Sequence, residues 1–300
     1  MSRASVVAML VAVEIAIVGI ALYAVHGMDR VHAAEFTART VAPVEAGTSP
    51  HIAIDDVDSR IDVSVSNDGL VHVKDLTNLH GAFFGGSGTI AQLAVDRTAD
   101  GVSISRPQRG TFHFEFGDFE RSIEVEVPAG SRLDIARCAG ARIAGIEGGI
   151  AVHSQDGRIT LTDVSGSIEA RTDDGSIYAT RVRGNDVALA SADGRLILDD
   201  ISAASLDAQT KDGRIEAKGL AISGGAQHAV LHTDDGSIRV ALAPGADLTV
   251  VATTGDGDVD VDGNSSDDAT HRTIRLGNGS GSLQLTSADG SIHILTNGAV

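Results

Sequence analysis

The side chains with the most capacity for chemistry are aspartates in a short recurring motif: Asp-Gly, then a small, basic or acidic residue, then Ile, Leu or Val. The aspartates of this motif are Asp156, Asp174, Asp193, Asp212, Asp235, Asp256 and Asp289. If successive copies stack at strand spacing, about 4.8 Å, neighbouring carboxylates repel by about 3 to 4 kcal/mol at an effective dielectric of 20. Such a column needs compensation from turn hydrogen bonds, from arginines or from cations.

Arginines are the favoured compensation, because Arg158, Arg195 and Arg214 each follow a corner glycine directly. Calcium-binding β-rolls carry Gly-Gly-x-Gly-x-Asp in every nonapeptide, whereas each corner here has one glycine. We therefore predict no metal and no cofactor. A denser acidic row is the first place to look for an ion, although a solvated strand face explains it equally simply. That row is Asp256, Asp258, Asp260 and Asp262.

Catalytic motifs are absent from the sequence. It has no His-Glu-x-x-His or Cys-x-x-Cys spacing, no Gly-x-Ser-x-Gly elbow and no Gly-Lys-[Ser/Thr] loop. A polysaccharide-cleaving β-helix would need paired carboxylates beside aromatic platforms, and Tyr178 is the one aromatic residue of the repeats. We predict that the protein is not an enzyme and has no catalytic residue.

The glycines of the motif indicate the architecture that positions the aspartates. They are Gly157, Gly175, Gly194, Gly213, Gly236, Gly257 and Gly290, and the first six are 18 to 23 residues apart. A near-fixed period is typical of solenoids. A second series, Gly148, Gly166 and Gly184, falls nine residues out of phase. Each period is therefore expected to have two corners, where glycine tolerates positive φ, and two strands with period-two alternation.

Antiparallel hairpins are the rival arrangement, since Asp-Gly also suits a two-residue hairpin loop. Inward positions, however, keep a constant offset from each glycine. The residue three before it is Thr172, Ser191, Thr210 or Thr233. Constant offsets place equivalent residues above one another, so we predict an all-β fold, a parallel β-solenoid with two short strands per coil of about 19 residues and on the order of eight coils.

Charge and hydropathy define the ends and exclude some partners. The 300-residue chain has a net charge of -18, which argues against nucleic acid and against adsorption to anionic lipid. Residues 5–25 form an apolar run long enough for one membrane crossing. We predict an uncleaved transmembrane anchor over 1–28, with the body outside the cytoplasm, then a linker over 29–50. A β region with a cap follows over 51–135, and the repeats occupy 136–297.

An aromatic patch precedes the repeats. Phe112, Phe114 and Phe116 alternate along one predicted strand, and Phe119 follows. The patch either seals the end of the coil, as solenoids require, or docks a partner or another copy of the chain. Sealing is the favoured interpretation, because an open strand edge promotes edge-to-edge growth.

Several segments resemble the DUF4097 family of β-strand-repeat proteins, which carries an adhesin label. They are the bends at Pro128-Ala129-Gly130 and Pro244-Gly245, the recurring corners and the closing segment 277–292. The resemblance covers residues 53–295 and implies a β-helix-like solenoid, often exported or membrane-attached in bacteria, with no established reaction. The aromatic segment 112–119 and an insert at 263–276 depart from the pattern.

These observations favour an adhesin-like binding module of the bacterial cell envelope that recognises an envelope protein or a glycan. The alternative is a structural protein that polymerises through its coil ends. A polysaccharide-acting enzyme is the least favoured interpretation.

Overall fold

The computed structural model describes residues 35–84, 92–107, 114–222, 228–264 and 270–296. The chain divides into two compact units. The smaller comprises 1–37, 77–92 and 107–120, and the larger comprises 38–76, 93–106 and 121–300. Every regular element described is a β-strand. Among these residues no helix has the length and apolarity needed to cross a bilayer, and the predicted anchor lies outside them.

The strands, in chain order, are β1 (Glu35–Thr40), β2 (His51–Asp55), β3 (Arg60–Val65), β4 (His72–Phe84), β5 (Ala94–Arg97), β6 (Gly101–Ser105), β7 (Phe114–Val127), β8 (Arg132–Arg137), β9 (Gly140–Ala144), β10 (Ile150–Ser154), β11 (Ile159–Ser165), β12 (Ile168–Thr172), β13 (Ile177–Ser191), β14 (Leu196–Thr210), β15 (Ile215–Ile222), β16 (His228–Thr233), β17 (Ile238–Leu242), β18 (Leu248–Thr254), β19 (Val259–Val261), β20 (His271–Leu276), β21 (Gly281–Ser287) and β22 (Ile292–Leu295).

In the larger unit, parallel pairing joins most of these strands into two stacks. In spatial order the first stack is β6, β2, β8, β10, β12, the second halves of β13 and β14, β16, β21 and β18. The second stack is β7, β3, β9, β11, the first halves of β13 and β14, β15, β17, β22 and β19. Ile159 pairs with Ile177, Ile177 with Leu196, and Leu196 with Ile215. The predicted parallel stacking is confirmed, and the hairpin alternative is wrong.

The coils do not follow chain order at either end. The coil formed by β2 and β3 lies between β6–β7 and β8–β9. Likewise, β21 and β22 lie between the coil of β16–β17 and that of β18–β19. The Asp256 corner therefore stacks on the Asp289 corner rather than on the Asp235 corner. The chain reverses along β20, which allows its last strands to gain pairing partners on both edges.

Antiparallel strands cover the outer edges of the first stack. β20 pairs antiparallel with β18, and β5 pairs antiparallel with β6. An exposed parallel edge would offer free N–H and C=O groups to other chains. The insert at 263–276 therefore contributes an edge strand, and both ends of this stack have an edge cover.

The core is aliphatic and continuous through the larger unit. One coil contributes Ile159, Leu161, Val164 and Ile168, each at most 1% exposed. Burying an aliphatic side chain contributes about 1.5 to 3 kcal/mol, so repeated inward columns supply most of the stabilisation. Cys138 is 1% exposed and belongs to this core, and its burial raises the pKa of the thiol.

The coils of β11, β13 and β14 have a third bend that the two-corner prediction lacks. Asp163, Arg181 and Asp200 occupy equivalent positions with φ of 54°, 52° and 56°. Left-handed backbone at a non-glycine residue is uncommon and tolerated best by Asp and Asn. At the bend two successive residues, Thr162 and Asp163, point outward, and Val164 points into the core again. It makes these coils three-sided rather than flat pairs of strands.

Corner glycines are needed for close packing, not for positive φ as predicted. None of the seven has a positive φ. A Cβ built on Gly194 would lie 1.7 Å from the carbonyl oxygen of Gly175, and one on Gly213 would lie 1.9 Å from that of Gly194. Each corner thus rests backbone to backbone on the corner of the neighbouring coil.

A column of buried hydroxyls fixes these corners from inside. Each donates to the carbonyl of the neighbouring corner glycine at 2.7 to 3.2 Å. Ser191 Oγ also accepts from the Gly194 N–H at 2.8 Å. The donors are Thr172, Ser191, Thr210, Thr233, Thr254 and Ser287. The hydroxyl at a constant offset from each glycine is therefore a packing requirement.

Replacing one hydroxyl should weaken its corner measurably. Thr210→Val keeps the shape but removes the donor to Gly194 O, leaving a buried carbonyl without this partner. We expect a loss of about 1 to 3 kcal/mol in the free energy of unfolding, measured by urea denaturation. Thr180→Val, on a half-buried outward position of β13, is the control and should change it by less than about 0.5 kcal/mol. Equal losses would contradict the assigned role of the column.

Candidate functional site

The corner aspartates form one exposed column along the larger unit. Asp289 lies between Asp235 and Asp256, because β22 separates β17 from β19. Desolvation, a hydrogen bond with Asp212 and the charges of Asp212 and Asp174 raise the pKa of Asp193. A hydrogen bond with Asp212, desolvation and the charges of Asp212 and Asp289 raise the pKa of Asp235. The carboxylates therefore repel one another along the stack, as their spacing predicts.

The expected neutralisation by arginines is wrong. The Arg158 guanidinium carbon lies 4.8 Å from the ring centre of Tyr178, and Arg214 contacts Glu216 at 3.4 Å. Among the described residues Arg195 has no ion pair within 4.0 Å. The arginine after a corner glycine immediately precedes strand β11, β14 or β15 of the second stack and is exposed. Among the described residues none of the three pairs with a corner aspartate.

The uncompensated column predicts a pH-dependent gain from Asp193→Asn. An aspartate whose pKa is raised on folding destabilises the folded state above that pKa and has no effect below its unfolded pKa, where both states are protonated. The variant should therefore melt at a higher temperature than the wild type at about pH 7, and the difference should vanish as the pH falls to about 3. Thermal denaturation followed by circular dichroism measures both.

Asp134→Asn is the matched control for this prediction. Asp134 is exposed on β8, and its register neighbours are the uncharged Ala53 and Ala151. It should not raise the melting temperature at either pH. An Asp193→Asn gain that persisted unchanged at low pH would mean that charge repulsion is not its cause.

The four aspartates of the denser acidic row make different contacts. Asp256 lies at a corner, and Asp258 N donates to Ser291 Oγ at 3.4 Å. Asp260 Oδ1 accepts from Gly263 N at 2.8 Å. Asp262 accepts from the Thr296 N–H at 2.8 Å, and the Thr296 hydroxyl and N–H lower the pKa of Asp262. Within the described ranges no three Asp, Glu, His or Cys side chains are arranged to hold a metal ion.

Most of the predicted aromatic patch lies outside the part of the chain whose side chains are described. Phe112 lies outside the described residues, and the backbone of Phe114, Phe116 and Phe119 belongs to β7. Whether these rings seal the coil or dock a partner stays a prediction.

One surface of the second stack concentrates unpaired arginines around the single aromatic residue of the repeats. We define the arginine–tyrosine surface as Arg142, Arg158, Tyr178, Arg195 and Ile197. Register pairs Arg142 with Thr160, Thr160 with Tyr178, and Tyr178 with Ile197. The three arginines are exposed, and Tyr178 and Ile197 are half-buried. Sequence analysis assigned Arg158 and Arg195 to the acidic corners and missed the surface.

A polar cleft of about 420 Å³ lies at the second series of corners. Its lining residues are Gly166, Ser167, Arg183, Gly184, Asn185 and Ser202. The cleft exists because Gly166 and Gly184 present bare backbone: a Cβ on Gly184 would lie 2.3 Å from the Gly166 carbonyl oxygen. Arg183 is held 3.5 Å from Asp200, so the cleft contains one cation that is already paired.

A buried ionic cluster was not anticipated. Arg106 Nε donates to Asp56 Oδ2 at 2.7 Å, and its two terminal nitrogens donate to Asp75 at 3.2 and 2.7 Å. Side-chain exposure is 5% for Arg106, 2% for Asp56 and 10% for Asp75. Ser59 Oγ adds a 2.9 Å hydrogen bond to Asp56. The cluster joins three chain segments and presents no surface to a ligand, so its role is structural.

Parallel stacks with an aliphatic core and antiparallel edge covers define an all-β repeat protein with a solenoid-like core. The family model of Toastrack DUF4097 matches residues 59–295. The chain belongs to this family.

Three solved structures align with most of this chain at low sequence identity, and their names describe adhesins or a cell adhesion protein. One from Bacteroides fragilis is 13% identical, with 87% of this chain and 98% of that chain covered and a TM-score of 0.47. One from Parabacteroides merdae is 8% identical, with 87% and 97% covered and a TM-score of 0.39. A proposed cell adhesion protein from Clostridium sporogenes is 10% identical, with 88% and 99% covered and a TM-score of 0.31. No protein with a curated description matches the sequence.

Proposed function

We propose that the protein is a non-catalytic, adhesin-like binding module of the bacterial cell envelope, built as a parallel β-solenoid. The observation that carries this proposal is the strict register of the stacks, which repeats each outward position from coil to coil. A rigid surface assembled in this way binds with little loss of conformational entropy. The exposed charged residues of the described stacks lie in columns along these surfaces.

Membrane attachment completes the proposal. Residues 5–25 are apolar enough to cross a bilayer once, and they would hold the repeats outside the cytoplasm. Deletion of residues 1–28 should move the protein from the membrane fraction to the soluble fraction. External protease should degrade the repeats of the full chain in intact spheroplasts. Protection of the repeats would place them on the cytoplasmic side and contradict the proposed location.

The binding role is tested with the full chain immobilised in detergent-treated membranes. Envelope glycan and envelope protein fractions are passed over it separately, and surface plasmon resonance records retention. We expect saturable retention of at least one fraction, with none by membranes that lack the protein. Absence of retention from both fractions, together with turnover of either one, would replace the binding role with an enzymatic one.

End-to-end polymerisation is the weaker candidate. The strands β5 and β20 occupy the outer edges of the first stack, where a polymer would have to add parallel strands. Light scattering over a wide concentration range distinguishes the two: a binding module keeps a constant mass, and a polymer grows.

A further inference from the structure

We propose that the arginine–tyrosine surface binds a glycan that contains uronic acid, with ring carboxylates paired to Arg158 and Arg195 and a sugar face packed near Tyr178. This inference rests on the proposed binding function and names its ligand class. It depends on an unusual local charge, an ordered guanidinium and the surrounding hydroxyl groups.

The charge of this surface opposes that of the whole chain. The net charge is -18, and several exposed arginines elsewhere pair with carboxylates: Arg137 with Asp55 at 2.8 Å, and Arg171 with Glu169 at 2.9 Å. In contrast, no hydrogen bond or ion pair connects the guanidinium groups of Arg142, Arg158 or Arg195 to a residue in the described ranges. Three cations with free donors, in an acidic protein, are complementary to an anionic ligand.

The side chain of Arg158 is already oriented for binding an anion. Arg158 lies over the ring of Tyr178, with 4.8 Å between the guanidinium carbon and the ring centre. Stacking orients a guanidinium and leaves its in-plane N–H donors available, which suits bidentate binding of a carboxylate. Arg195 lies one coil further on, and its carbonyl accepts the Ile177 N–H at 2.9 Å. Tyr178 is therefore flanked by an arginine from the coil on each side.

The surroundings favour a sugar over other anions. Thr160, Ser176 and Thr180 are half-buried outward hydroxyl residues beside Tyr178, and they can pair with sugar hydroxyls. An acidic peptide that added as a strand would need a free sheet edge, whereas Tyr178 lies on β13, which is already paired with β11 on one side and β14 on the other. Nucleic acid and anionic bilayers carry dense phosphate charge, which a chain with a net charge of -18 repels. A uronic acid contributes one carboxylate for each ring.

Isothermal titration calorimetry of the full chain in mild detergent tests the inference with oligogalacturonate as the probe. Its methyl ester, which has the same rings without charge, is the ligand control. We expect saturable binding of the acid and at least about tenfold weaker binding of the ester. Arg158→Ala and Arg195→Ala should each weaken binding of the acid about tenfold. Tyr178→Ala should also weaken binding of the acid, although both arginines are retained.

Arg171→Ala is the matched protein control, since Arg171 is exposed on β12 of the first stack and loses the same charge. It should change the dissociation constant by less than about twofold. Failure of the wild type to bind oligogalacturonate, equal losses for Arg171→Ala, or competition by poly-glutamate at equal carboxylate concentration would each overturn the inference. If envelope retention also survives Arg158→Ala and Arg195→Ala, the binding function stands and this surface is not its site.

Discussion

Gly194→Ala should destabilise the larger unit by at least about 3 kcal/mol in the free energy of unfolding. The added Cβ would lie 1.7 Å from the Gly175 carbonyl oxygen and 2.5 Å from Ser191 Oγ. The first of these is backbone, which can move only if two coils separate. Separation would also break the 2.8 Å hydrogen bond that Ser191 Oγ donates to Gly175 O. Chemical denaturation of the purified full chain measures the loss.

Gly245→Ala is the control for this substitution. Gly245 has φ of +78°, and a Cβ there meets no atom within 4 Å. Its cost should be that of a left-handed alanine alone, about 1 to 2 kcal/mol. If Gly194→Ala cost no more than Gly245→Ala, the corners would be loosely packed and the assigned role of the glycines would be wrong.

Arg106→Leu should lower the free energy of unfolding by about 3 to 5 kcal/mol. The substitution leaves Asp56 and Asp75 buried together without the cation that each contacts at 2.7 Å. Like charges that cannot reach water either force the segments apart or take up protons. Urea denaturation at neutral pH measures the loss.

Two further variants test whether the burial of the charges causes the loss of stability in Arg106→Leu. Arg137→Leu breaks the pair with Asp55 at 2.8 Å, in which both side chains are about half exposed, and it should cost less than about 1 kcal/mol. Arg106→Leu combined with Asp56→Asn and Asp75→Asn should recover part of the loss, because no buried charge remains. A triple variant less stable than Arg106→Leu would point to shape rather than charge.

Local spacing predicts much of the fold because stacking acts on every coil alike. The offset of Thr172, Ser191 and Thr210 from their glycines already specifies which residues lie above one another, and the registers confirm it. The family resemblance is confirmed over nearly the whole predicted range. Periodicity carries this information because a one-residue slip would exchange the inward and outward faces.

Features that depend on long-range order could not be predicted. No repeat encodes that β21 inserts beside β16, since the 51-residue separation of Gly236 and Ser287 depends on how the chain returns. Arg106, Asp56 and Asp75 share no motif and meet only in the folded molecule. Arg158 lies two residues after Asp156 in the sequence, and only the folded structure shows that it contacts Tyr178 instead.

The intercalated ends make loss of the final residues unusually harmful. In a simple stack, a premature stop codon near the end removes the outermost layer and shortens the molecule. Here β21 and β22 lie between strands that come earlier in the chain. A chain that ends before residue 281 therefore has a gap inside the protein, with unpaired strand edges on both sides of it. Such products would be prone to aggregation, and synthesis must reach the last strand before the interior closes.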